Sequence, residues 1–173
     1  DLGATHVLFT GVIRHATAQY NTPAIVKGKA GSPYAITDYY DIDPDLCEDK
    51  RRRVQEFTDL VERSHNANLR VIIDFVPNHV AREYHSTCKP KGVEDLGATD
   101  NPAWAFSPLN NFYYIHEAFA PQFDMQGYSE NPARATGNDC FTAHPGKDDW
   151  YETIKLNYGV FYQNGGEQQF DPI

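Results

Sequence analysis

The chain has 173 residues, enough for one domain of ordinary size, and its 40% apolar and 23% charged content is that of a globular protein. A formal net charge of −9 argues against nucleic acid or an anionic membrane as partner, since both need basic surfaces. The basic run Lys50 to Arg53 lies beside Glu48, Asp49 and Glu56 and reads as a solvated helix face. No apolar run approaches the ~20 residues of a membrane-spanning helix, and neutral substrates suit the acidic balance.

In chain order, "THVLFTGVI" (Thr5 to Ile13) is β-branched and apolar and predicts one buried strand. The chain opens "DLGATHVLF", without Met or a signal peptide, so the start of a larger protein is expected to be missing. Residues 14–35 are rich in Gly, Pro, Ala and Thr and predict a long loop. "YAITDYYDIDPDL" (Tyr34 to Leu46) continues it with turn-forming Asp and Pro. A helix follows, capped by Asp45 or Asp49, with Val54, Phe57, Leu60 and Val61 as its apolar stripe.

"RVIIDFVPNH" (Arg70 to His79) begins as a second buried strand and then breaks its pattern. Asp74 puts a carboxylate into the run, Pro77 forbids a paired strand, and Asn78 and His79 follow. Strand, helix and strand in this order make a βαβ unit with parallel strands. Both strands are almost wholly apolar, as strands covered on both faces are.

From about Val80 to Tyr162 no second βα unit is legible, and such a length suggests a functional excursion or small subdomain. "NNFYYI" (Asn110 to Ile115) reads as a short strand. Asp148, Asp149 and Glu152, beside Trp150 and Tyr151, read as a solvated turn. Cys47, Cys88 and Cys140 form no CxxC pair, which disfavours structural zinc; Cys88 and Cys140 either form a disulfide or stay free. In a (β/α)₈ barrel, polar groups at the C-terminal ends of strands face the catalytic side, and Asp74, Asn78 and His79 fit that position.

The hexapeptide "DFVPNH" resembles the first signature motif of the α-amylase family, glycoside hydrolase family 13. "LGATHVLFTGVIRHAT" is similar to the family's second barrel strand, and "GSPYAITDYYDIDPDL" to the loop after it. "NNFYYI" and "DWYETIKLNYG" are similar to pieces of the subdomain, domain B, that the family inserts after its third strand. The resemblance implies an α/β fold, part of a (β/α)₈ TIM barrel. Residues 1–79 would carry the second strand, second helix and third strand, 80–162 domain B, and 163–173 the return towards the fourth strand.

It also implies retaining cleavage of α-glucosidic bonds in starch-type α-glucans or malto-oligosaccharides. Two carboxyl groups roughly 5–5.5 Å apart act as nucleophile and acid in such enzymes. The family draws its catalytic carboxylates from later strands, so this stretch is expected to lack them and to depend on the remainder of the barrel. Family transglycosylases, isomerising enzymes and non-catalytic glycan-binding relatives share the same motif.

By the same resemblance, Asp74 organises the floor of the site and Asp38 braces its loop. Tyr34 stacks on the sugar before the scissile bond, and His79 hydrogen-bonds that sugar. Asn78, with Asn157 in "KLNYG", would ligate a structural calcium, although Lys155 is an unfavourable neighbour for a cation. Two strands of a closed barrel leave open edges and an unfinished core. Expressed alone, the 173-residue chain is therefore expected to be poorly stable and inactive on starch. Cooperative unfolding of the isolated monomer, or starch cleavage by it, would refute this.

Overall fold

The computed structural model describes residues 3–163 and 166–169, with side chains described through residue 159. The stretch expected as one strand from Thr5 to Ile13 is two. β1 (His6–Phe9) stops short of Gly11, and β2 (Ile13–His15) starts on a new course. Gly11 has a φ of 65°, and a side chain there would meet Pro33 Cβ at 2.8 Å. Only glycine satisfies both conditions at low cost.

β2 pairs antiparallel with β3 (Ile36–Ile42), a seven-residue strand where the sequence suggested loop. Asp38 and Asp41, read as turn formers, are buried strand residues. Asp41 accepts two hydrogen bonds from Arg53, both 2.7 Å, and one from Arg14 at 3.1 Å. Burial opposes its charge, but the two guanidinium groups outweigh burial and hold the carboxyl below its usual range.

Asp49 caps a 3₁₀ turn (Lys50–Arg52) that runs into α1 (Arg53–Asn66). Asp45 instead pairs with Lys50 at 2.6 Å. Phe57 of α1 packs edge-on against Phe9 of β1, with ring centroids 5.9 Å apart, and Leu60 and Val61 are half-buried. Val54, at the start of the expected stripe, is exposed. β4 (Arg70–Ile73) then lies parallel to β1, with Val7 opposite Val71 and Phe9 opposite Ile73. The βαβ unit is therefore present, but the strands are not covered on both faces by the described residues. Leu8 is 58% exposed, Ile72 48% and Ile73 42%.

Beyond β4 the chain builds antiparallel pairs. β5 (His79–Ala81), β6 (Tyr114–Ile115), β7 (Ala133–Arg134) and β8 (Thr153–Lys155) pair as β5 with β8 and β6 with β7. Val80, Phe112, Tyr114, Ile154 and Leu156 form a core beneath them. β9 (Val160–Gln163) and β10 (Gly166–Gln169) make a final hairpin. The expected return towards a next barrel strand, 163–173, lies mostly outside the described residues. The three cysteines are free thiols, and among the described residues no helix is long and apolar enough to cross a membrane.

One buried ionic group ties this region together. The Arg82 side chain is fully buried and donates to Glu130 at 2.7 Å, to the carbonyl of Tyr151 and to the carbonyl of Arg134. Arg134 reaches the same glutamate at 2.6 Å, and Tyr128 donates to it as well. Burial alone would raise the Glu130 pKa; the charges of Arg82 and then Arg134 outweigh burial and lower it. Replacing Glu130 by Ala leaves two guanidinium groups without their shared anion, and urea unfolding of the protein containing this chain should show a loss of about 3–5 kcal/mol. Because the folded pKa is depressed, the glutamate's contribution is present above its ordinary value of 4.5 and is lost as pH falls through the folded value. An unchanged unfolding midpoint in Glu130→Ala would contradict the ionic account.

Candidate functional site

The break in "RVIIDFVPNH" is a bend between two kinds of sheet. β4 ends at Ile73, and β5 begins at His79 on an antiparallel partner. The five residues between them cannot satisfy their own backbone groups, so distant residues do so. The Tyr39 hydroxyl lies 2.8 Å from the carbonyl of Val76 and 3.1 Å from that of His79. Tyr158 donates to the carbonyl of Pro77, and Leu156 N–H to that of Asn78 at 3.0 Å. Asp74 N–H closes the other end on Phe9 O at 3.0 Å.

Two of the residues expected at the site, Tyr34 and Asp74, line one crevice. The nearby Asp74 carboxylate is the main reason the phenol pKa is raised. Tyr34 comes from the turn before β3 and Asp74 from the end of β4, so the crevice joins the two motifs. The crevice between them is only about 10 Å³, too small for a sugar. A larger cleft of about 660 Å³ lies between β1 and α1, lined by Phe9, Phe57 and Leu60 together with Arg52 and Glu56. None of the residues expected at the site lines it.

His79 is 2% exposed, and both ring nitrogens have protein partners. Nδ1 accepts from Asn78 Nδ2 at 3.0 Å, which makes Nε2 the donor, 3.1 Å from Tyr34 O. This corrects the expectation of a nitrogen free for a sugar: the imidazole holds the Tyr34 backbone. Burial lowers its pKa, the nearby Lys155 charge adds to that, and the Tyr34 carbonyl opposes it; the ring is therefore neutral at pH 7. Its face packs on Trp150, with ring centroids 4.1 Å apart.

Trp150 and Glu152, which the sequence suggested were part of a solvated turn, belong to this interior. Glu152 is 2% exposed; it accepts the Trp150 indole N–H at 2.7 Å and Lys27 N–H at 2.8 Å. Their role has no sequence signal, because it depends on β8 lying beside β5. Asp38, expected to brace the loop that carries Tyr34, is instead a fully buried strand residue that accepts Thr87 N–H at 2.7 Å, Cys88 N–H at 3.2 Å and Tyr40 N–H at 2.8 Å. Metal-type donors gather at Asp38, Asp41 and Cys88, but backbone N–H groups and guanidinium groups already fill the carboxylates.

The calcium expectation does not fit the geometry at Asn78 and Asn157. Asn78 Oδ1 accepts Lys155 Nζ at 2.7 Å, so an ammonium stands where a metal ion would have to be. Asn157 Oδ1 accepts Gly159 N–H at 2.8 Å, and its amide nitrogen ties Ser107 O and Asn110 O. Both amides brace backbone, and Asn78 adds a bond to Gly137 O at 2.8 Å.

Gly137 is a further position that the sequence did not single out. A Cβ there would lie 2.4 Å from Thr153 Oγ1 and 2.9 Å from both Cβ and Cγ of His79. Gly137→Ala should therefore push the His79 ring from its place and cost about 1–3 kcal/mol by overpacking. Thermal unfolding and the histidine NMR signal check this; an unshifted His79 resonance would contradict the packing argument.

Residues 13–95 match the family described as "Alpha amylase, catalytic domain". The chain is 24% identical over 135 residues to Maltase A2 of Drosophila melanogaster, covering 63% of this chain and 23% of that protein. It is 29% identical over 110 residues to an alpha-glucosidase of Culex pipiens, covering 51% and 18%. It is also 26% identical over 124 residues to the mouse amino acid transporter heavy chain SLC3A1, covering 58% and 17%. The chain thus spans less than a quarter of each of these relatives. With "DFVPNH" at the end of a parallel strand and Tyr34 beside its Asp74, residues 13–95 are similar to the α-amylase catalytic domain.

Proposed function

We propose that this chain is part of the catalytic domain of a retaining, α-amylase-like glycoside hydrolase that acts on α-glucans or malto-oligosaccharides. The observation that carries the reading is that Tyr34 and Asp74 line one crevice at the end of a parallel strand. A half-buried phenol beside a carboxylate offers a flat apolar face to the C–H face of a glucose ring, with an acceptor for its hydroxyls at the rim. Tyr34 is the stacking residue, Asp74 stands beside it, and His79 sets its backbone. In this reading residues 1–79 belong to a (β/α)₈ barrel and 80–162 to its domain B. The nucleophile and general acid come from other strands of that barrel. A family transglycosylase would use the same residues and differ in how water is kept out.

The relation to a transporter heavy chain favours a second reading, a non-catalytic relative that keeps the barrel as an interaction or glycan-binding subunit. Starch hydrolysis by the protein that contains this chain separates the two. In that protein Tyr34→Ala should lower kcat/KM for malto-oligosaccharides about tenfold, a stacking-sized loss. Tyr34→Phe keeps the ring, loses only the hydroxyl and should stay within a few-fold of the parent. Equal kcat/KM in the parent and Tyr34→Ala would overturn the stacking role.

A further inference from the structure

We propose that Lys155 is a built-in cation that replaces a metal ion as the link between β5, β8 and the loop of residues 137–139. Its side chain is 16% exposed, and Nζ lies 2.7 Å from Asn78 Oδ1 and 2.8 Å from Asp139 Oδ1. Lys155 faces His79 across the β5–β8 register, so the ammonium sits one residue from the bend. Asp139 is held out towards it by a left-handed backbone, φ 64°, which Asp tolerates better than most residues. Asn78 completes the link by donating to Gly137 O at 2.8 Å.

The oxygens of Asn78 and Asp139 are the kinds a hard divalent ion takes, but such an ion needs six to eight of them. An ammonium needs about three acceptors and brings its own covalent anchor. The link is thus formed on folding without an ion from solution. The same charge disfavours protonation of His79.

The test is thermal unfolding of the full-length protein, parent and variants, in chelator and in millimolar calcium. Lys155→Met should melt several degrees lower than the parent, by the same amount in both buffers. Asp139→Asn, a milder change at a half-exposed side chain, should also melt lower. The double variant should be less impaired than the two losses added, because both remove one link. A Lys155→Met deficit that calcium erases would overturn the proposal, as would no deficit or strict additivity with Asp139→Asn.

Discussion

The structure turns on a bend that has to change sheets. β4 ends a parallel pair at Ile73, and by His79 the chain is in an antiparallel pair with β8. A backbone that leaves one ladder and joins another within six residues exposes carbonyls and N–H groups that no ladder can satisfy. Here they are met from far along the chain, by Tyr39, Tyr158 and Leu156. Pro77 removes one donor from the problem, and Asp74 and His79 turn the remaining polarity onto Tyr34. The site is a consequence of that satisfaction: the groups that close the bend also hold the Tyr34 backbone.

Charge does the longer-range fastening. Asp41 joins β3 to α1 through Arg53, Glu130 joins Arg82 to Arg134, and Lys155 joins β8 to Asn78 and Asp139. Each is partly or wholly buried, where a charge without a partner is costly and a paired one specifies its geometry. This suits a region with short strands and little regular hydrogen bonding. Its apolar core is small, so position is set by directed polar contacts more than by packing.

Much of this was legible in the sequence, for a physical reason. β1, α1 and β4 carry period and β-branching over enough residues to declare themselves, and "DFVPNH" breaks a strand with chemistry that has no packing use. β3 was hidden because Asp38 and Asp41 look like turn formers unless their buried partners, Thr87 and the two arginines, are known. β5 and β8 have three residues each, too few for any period. The burial of Glu152, the packing of Trp150 on His79 and the crowding at Gly137 follow from that pairing. So does the capture of Asn78 by Lys155, which turned an expected metal ligand into a partner for an ammonium.

The central claim is that Tyr34, beside Asp74 and held by His79, is the surface on which an α-glucan rests. A crystal structure of the full-length protein with a malto-oligosaccharide tests it most directly. The account predicts a glucose ring packed on the Tyr34 phenol at about 4 Å, with a hydroxyl reaching Asp74 and the His79–Tyr34 backbone bond intact. Saccharide bound elsewhere in the cleft, with the Tyr34 ring bare, would contradict it.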